Sequence, residues 1–118
     1  MRVFTDASFW GNPRQLKNAK IGIFIPNFDI KYQEEIKAMD NNEAEYLAIF
    51  KALQIIKKNM KQNVDIISDS KVCTYSLNYF IDNGIYKHNK YDEIQYKIIE
   101  LLKTLDFQIS FIHQKSHN

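Results

Sequence analysis

The chain of 118 residues contains only one cysteine, three glycines and two prolines. A single cysteine, Cys73, cannot form an internal disulfide, and so little glycine and proline excludes collagen-like, linker-rich and low-complexity chains. No apolar run approaches the roughly 18 residues that a membrane span needs, and the N-terminal segment lacks the apolar stretch of a signal peptide. We therefore expect a cytoplasmic protein with no membrane partner.

The composition is that of an ordinary globular protein. Hydrophobic residues make up 45% of the chain and charged residues 25%, and one Trp, seven Tyr and eight Phe supply material for a core. These values exclude intrinsic disorder as the main state. The length suits one compact unit, so we expect residues 1–118 to form a single domain. The net charge of +2 neither requires nor excludes a nucleic-acid partner.

The first third of the chain has the pattern of three β-strands. Residues 2–7 (RVFTDA) form a β-prone run that ends at a carboxylate, and Gly11, Asn12 and Pro13 supply turn chemistry after it. Isoleucines alternate with other residues over 19–26, and a second alternating run covers 29–39. We predict a hairpin from these two runs, with its turn at PNFD and with Pro26 ending the first strand.

The rest of the chain alternates helical and extended patterns. Asp40, Asn41 and Asn42 can start a helix, and apolar residues then recur at helical spacing up to Lys58. Residues 64–68 are an almost wholly apolar strand, which ends at Asp69. Further helices are predicted over 70–81 and 91–105, and a last strand over 107–113. In the second helix we expect an inward face of Val72, Cys73, Leu77 and Phe80.

This order predicts a mixed five-stranded α/β sheet flanked by helices. The first three strands are joined by short turns, which favour antiparallel pairing. The strands at 2–7, 64–68 and 107–113 are joined through helices, which implies parallel pairing with right-handed crossovers.

Three carboxylates are predicted to meet at one edge of this sheet. Asp6 and Asp69 lie at the carboxyl ends of two parallel strands, where α/β sheets bind ligands, and Glu45 lies one turn into the first helix. An isolated acid in such a place is more often a helix cap or a salt-bridge partner, so the joint placement carries the prediction. Three neighbouring carboxylates repel one another and need a cation, for which Mg²⁺ is the best match.

Local sequences resemble, in order and spacing, the motifs of ribonuclease H type 1. The matching segments are TDAS at 5–8, GNP at 11–13, NNEAEYLAI at 41–49, ISDS at 67–70 and FIHQKSH at 111–117. The resemblance runs over essentially the whole chain and implies the RNase H-like fold. It implies a metal-dependent endonuclease that hydrolyses the RNA strand of RNA/DNA hybrids and leaves a 5′-phosphate.

The resemblance also implies roles for individual residues. Asp6, Glu45 and Asp69 correspond to metal ligands, which would hold two Mg²⁺ ions, with Mn²⁺ as a possible substitute. His117 corresponds to a mobile histidine that assists proton transfer and product release. The residues implied to contact the hybrid are Ser8, Gly11, Asn12, Asn41, Asn42 and Ser70. Such contacts recognise the 2′-hydroxyls that only the RNA strand carries.

The chain departs from the family pattern at its end. Family members continue past the histidine loop with an Asn-Glu-x-Ala-Asp segment and a last helix, and that Asp is a fourth metal ligand. Here the sequence stops at Asn118. We therefore expect a C-terminally truncated member that lacks the last helix and holds at least one metal more weakly.

Two other functions remain open from the sequence. One is a catalytically weak or silent module that binds RNA/DNA hybrids. The other is an integrase or transposase-type core, which would use Asp6, Asp69 and an acid of the third helix, Glu93 or Glu100. Glu45 distinguishes the integrase-type core from the ribonuclease, because only the ribonuclease depends on it. No obligatory protein partner is evident.

Overall fold

The computed structural model describes residues 1–115. Within this range the chain forms five strands and three α-helices: β1 (Arg2–Phe9), β2 (Ala19–Ile25), β3 (Ile30–Ile36), α1 (Asn41–Asn59), β4 (Val64–Ser68), α2 (Lys71–Asn83), α3 (Asp92–Leu102) and β5 (Ile109–His113). A single turn of 3-10 helix, Pro26–Phe28, links β2 to β3. The predicted order of elements is confirmed.

The strands form one sheet in the order β3-β2-β1-β4-β5. β2 pairs antiparallel with both β1 and β3, whereas β1 pairs parallel with β4, and β4 pairs parallel with β5. The predicted mixed five-stranded sheet is therefore confirmed. The β1–β4 ladder ends at the pair Phe4 and Ile67, just before Asp6 on one strand and Asp69 beyond the other.

The helices pack on one face of this sheet. Alternation along the strands places one set of side chains toward the helices, and these side chains share a single core with all three helices. The strand residues of this core include Val3, Ile23, Ile66 and Phe111, and the helical ones include Ile49, Leu77 and Ile98. On the other face Phe24 and Ile112 remain exposed. Among residues 1–115 no helix is long and apolar enough to cross a membrane.

Several predicted boundaries are wrong by a few residues. β1 continues to Phe9, α1 to Asn59 and α2 to Asn83. α2 ends where Gly84 adopts a left-handed conformation (φ 75°), which favours glycine. β3 ends at Ile36 rather than at 39, because the Asn18 side chain bonds to both backbone groups of Ala38 and diverts the chain toward α1.

The last helix and the last strand are also shorter than predicted. α3 covers Asp92–Leu102 instead of 91–105, and β5 begins at Ile109 instead of at 107. One predicted core position is wrong, since Val72 lies exposed in the first turn of α2 while its neighbour Cys73 is fully buried.

Candidate metal centre

Asp6 lies near the carboxyl end of β1. It pairs with Gly22 of β2, and its side chain is exposed. Because Thr5 is buried on the helix side, alternation directs Asp6 toward the open face of the sheet. The backbone N–H of Ala7 donates to Asp6 Oδ1 at 2.9 Å. The carboxylate is thus fixed at the rim while it stays accessible to a ligand.

Asp69 directly follows β4 and precedes α2. The turn is held by two serines: Ser68 Oγ accepts from the backbone N–H of Ser70 at 3.1 Å, and Ser70 Oγ accepts from that of Cys73 at 3.2 Å. The second bond caps the N-terminus of α2. The carboxylate of Asp69 is therefore held between a rigid strand and a capped helix.

Glu45 reaches the same rim from the helix side. It lies in the second turn of α1, is only 2% exposed, and its Oε2 has no hydrogen-bond partner. The pKa of Glu45 is raised to about 9, chiefly because the carboxyl is buried and further because of its neighbours Asp69 and Asp6. A buried carboxyl with an unpartnered oxygen is costly unless a cation is bound there.

The three carboxyl groups form one cluster. Oxygen atoms of Asp6, Glu45 and Asp69 all lie within 4.8 Å of one another, as the sequence predicts. None of the three forms an ion pair with a lysine, arginine or histidine of residues 1–115. All donors are carboxylate oxygens, the ligands that hard cations such as Mg²⁺ and Mn²⁺ prefer. The residues present therefore fit a divalent metal, and they lack a protein cation that could take its place.

The predicted hybrid-binding residues lie on both sides of this cluster. Asn41 is exposed and Asn42 half-buried, and they precede Glu45 by four and three residues, so all three share one side of α1. The carbonyl of Asn42 also accepts from Cys73 Sγ at 3.5 Å, which ties the start of α1 to α2. Ser70, by contrast, uses its hydroxyl as a helix cap and is largely buried.

The other predicted contacts lie at and beyond the end of β1. Ser8 is exposed and lies two residues after Asp6, on the same face of the sheet. In the turn that follows, Gly11 has φ 73°, and an added Cβ would approach the Phe9 ring to 3.1 Å, so glycine is needed there. Asn12 Oδ1 accepts from the N–H of Arg14 at 3.0 Å. The predicted catalytic residue His117 lies outside the described residues.

Sequence reasoning missed a contact at the start of α1. The Asp40 carboxylate is bound by Tyr91 and Lys90, which precede α3. The sequence identifies Asp40 only as a possible helix start and places Tyr91 only at the beginning of the helix predicted over 91–105. No local signal connects two residues that lie 51 positions apart.

The acids of α3 do not join the cluster. Glu93 and Glu100 form ion pairs with Lys97 and Lys103 of the same part of the chain, at 3.7 Å each. The group of possible metal ligands found among residues 1–115 contains Glu45 instead. Among the described residues, the cluster therefore contains Glu45 of α1 and not the acid of α3 that an integrase-type core would need.

Solved structures with the same fold support the topology. RNase H1 from the halophilic archaeon Halobacterium salinarum NRC-1 is 20% identical, with a TM-score of 0.70, over 96% of this chain and 85% of its own. LC11-RNase H1 in complex with an RNA/DNA hybrid is 22% identical, with a TM-score of 0.70, over 97% of this chain and 84% of its own.

A third similar structure is the N-terminal RNase H domain of rv2228c from Mycobacterium tuberculosis, a fusion with maltose-binding protein. It is 16% identical, with a TM-score of 0.64, over 98% of this chain and 88% of its own. At such identities these likenesses show the fold, which is RNase H-like. No curated protein matches the sequence. The RNase H family model, however, matches residues 1–118, and the chain therefore belongs to the RNase H family.

Proposed function

We propose that this protein is a metal-dependent endonuclease that hydrolyses the RNA strand of RNA/DNA hybrids. The observation that carries the proposal is the cluster of Asp6, Glu45 and Asp69, whose oxygens lie within 4.8 Å of one another at the rim of an RNase H-like sheet. The family match over the whole chain supports the reaction class. The hybrid bound to the similar LC11-RNase H1 supports the substrate.

The three carboxylates would hold two divalent ions, Mg²⁺ or Mn²⁺. Bound ions would supply an activated water and stabilisation of the leaving oxygen. Asp6 is exposed and Asp69 partly exposed, so both would be accessible to an ion and to a substrate phosphate, and the buried Glu45 would hold an ion from the helix side. Hydrolysis adds water across the phosphodiester bond and leaves a 5′-phosphate on the RNA. His117 would assist proton transfer and product release.

Recognition of the hybrid would come from both sides of the cluster. Asn41 and Asn42 at the start of α1 would contact the RNA strand in the minor groove. Ser8, Gly11 and Asn12 would recognise ribose hydroxyls, and Ser70 would contact the backbone. Because most of these contacts go to the backbone, affinity should fall steeply with salt and depend little on sequence. We further propose that residues 1–118 act as one cytoplasmic domain without an obligatory protein partner.

The test is cleavage of an end-labelled RNA/DNA hybrid in Mg²⁺ or Mn²⁺ by the wild type, Asp6→Asn, Glu45→Gln and Asp65→Asn. Asp65 is the matched control, because it lies inside β4 and pairs with Arg2 and Ser110, away from the cluster. We expect Asp6→Asn and Glu45→Gln to lose about 100-fold or more of the activity, since even indirect partners of metal ligands cost 10- to 100-fold. Asp65→Asn should cleave like the wild type.

Duplexes of RNA alone and DNA alone complete the experiment. Cleavage confined to the RNA strand of the hybrid supports the proposal. Hybrid binding with no cleavage in either metal would identify a catalytically silent binding module instead. Full activity of Glu45→Gln would favour an integrase-type core.

A further inference from the structure

A network of hydrogen bonds joins the N-termini of α1 and α3. Asp40 caps α1, with its Oδ1 accepting from the backbone N–H of Glu43 at 2.8 Å. Its Oδ2 accepts from the Tyr91 hydroxyl at 2.7 Å and from Lys90 Nζ at 2.9 Å. One carboxylate therefore both starts α1 and binds the segment that starts α3.

Tyr91 is held in place by the core and by residues near the start of α3. It is only 6% exposed, and its ring packs against the ring of the fully buried Tyr46, with the two centroids 5.3 Å apart. The backbone N–H of Tyr91 donates to Asn89 Oδ1 at 2.8 Å, and the buried Gln95 donates to the same oxygen at 3.0 Å. The hydroxyl consequently has a fixed place, which is set by the core and by α3.

Asn42 follows Asp40 by two residues, in the first turn of the helix that Asp40 caps. Tyr91 is thus connected, through this cap, to a residue that we propose to contact the RNA strand. Burial raises the pKa of Asp40, but hydrogen bonds from Glu43, Tyr91 and Lys90 outweigh it and hold this pKa below its usual value. Asp40 is therefore a carboxylate at neutral pH, and Lys90 balances its charge beside the proposed path of an anionic substrate.

We propose that Tyr91, supported by Lys90, is a positioning residue for substrate binding. It holds Asp40, the N-cap of α1, and so orients the first turn of this helix for its contact with the RNA strand. This role rests on the proposed function. Tyr91 is buried and does not itself touch the substrate, and it lies outside the carboxylate cluster. Its loss should therefore weaken hybrid binding more than it slows the chemical step.

Steady-state kinetics with the hybrid should separate these effects. Tyr91→Phe keeps the buried ring and removes the hydroxyl, and Asp40→Asn keeps a good N-cap but loses the acceptor for Tyr91 and Lys90. We expect Tyr91→Phe to raise KM about fivefold, the size of one lost hydrogen bond, and Asp40→Asn to raise it at least as much, with kcat changed less than about twofold in both. The double variant should equal Asp40→Asn alone, because Asp40→Asn already removes the link that Tyr91→Phe removes.

Tyr96→Phe is the control, because it removes a hydroxyl from an exposed tyrosine of α3, the helix that follows Tyr91, and should leave both constants unchanged. Amide exchange of Glu43 and Ala44 in the free protein gives an independent readout, and we expect faster exchange in Tyr91→Phe. An unchanged KM, a fall in kcat alone, or additive effects in the double variant would each overturn the positioning role. A wild type that fails to bind hybrid would overturn the proposed function as well, whereas the other results leave that function intact.

Discussion

At the scale of single residues, Glu45 carries the largest electrostatic conflict in the described chain. Its carboxyl is buried, has one oxygen without a partner, and lies close to Asp6 and Asp69. In the absence of metal this arrangement costs stability, because burial and like charge both oppose ionisation. A bound divalent cation would turn the same arrangement into a stabilising one, since a ligand that binds only the folded state adds to its stability.

We expect Glu45→Gln to stabilise the metal-free protein. In EDTA at neutral pH its free energy of unfolding should exceed that of the wild type by about 1 kcal/mol or more, since one pKa unit corresponds to about 1.4 kcal/mol. The pKa of Glu45 is raised from 4.5 to about 9 in the folded state, so the wild type loses stability as the pH rises from 4.5 towards 9. Urea unfolding at several pH values checks this, and the gain should be small near pH 4.

Magnesium should make the wild type more stable than Glu45→Gln, the reverse of their relative stability in EDTA. Added Mg²⁺ should raise the Tm of the wild type and leave that of Glu45→Gln nearly unchanged. Glu43→Gln is the matched control in the preceding turn of the same helix, where Glu43 accepts from the N–H of Met39 and lies outside the cluster. Glu43→Gln should not be more stable than the wild type in EDTA, and its Tm should still rise when Mg²⁺ is added. A less stable Glu45→Gln in EDTA would contradict this account of the site.

At the scale of secondary-structure elements, the start of α2 depends on Ser70. Its hydroxyl accepts from the N–H of Cys73, as an N-cap should. We expect Ser70→Ala to lower the free energy of unfolding by about 1 kcal/mol and Ser70→Gly by only a few tenths, because glycine is tolerated at an N-cap far better than alanine. Urea unfolding without metal or nucleic acid measures both. A larger loss in Ser70→Gly than in Ser70→Ala would show that the cap is not what Ser70 contributes.

The same scale shows which elements a sequence can predict. The ends of β4 are predicted correctly, because its apolar run lies between polar residues on both sides. The end of α3 and the start of β5 are not, because Leu105 and Phe107 pack against the core from outside regular structure. Their apolar side chains therefore extend the helical and alternating patterns beyond the elements themselves.

Part of the candidate site can be predicted from the sequence, because some of its residues are marked by local sequence signals. Asp6, Asp69 and Glu45 lie at two strand ends and a helix start, which are local signals, and the order of elements then places them at one rim. The link between Asp40 and Tyr91 has no such signal. It depends on how α1 and α3 pack together, and Tyr91 has the same spacing as the apolar residues around it.

At the scale of the whole molecule, the two faces of the sheet differ in what covers them. The helices cover the face of Val3, Ile23 and Ile66, and this face carries the shared core. The opposite face has a row of paired positions across the sheet, Lys31, Phe24, Phe4, Ile67 and Ile112, in which Phe24 and Ile112 are exposed. Stability should therefore depend far more on one face than on the other.

Two adjacent residues of β2 test this difference. Ile23 points to the helices and is 3% exposed, whereas Phe24 points to the open face, is 38% exposed, and has the Phe4 ring as a neighbour at 6.3 Å. We expect Ile23→Ala to lower the free energy of unfolding by about 2 to 5 kcal/mol, the usual cost of a cavity in a core. Phe24→Ala should cost about 1 kcal/mol or less, the value of a cross-strand pair on an open surface, although it removes the larger side chain. Equal losses in urea unfolding would mean that the open face is covered in solution.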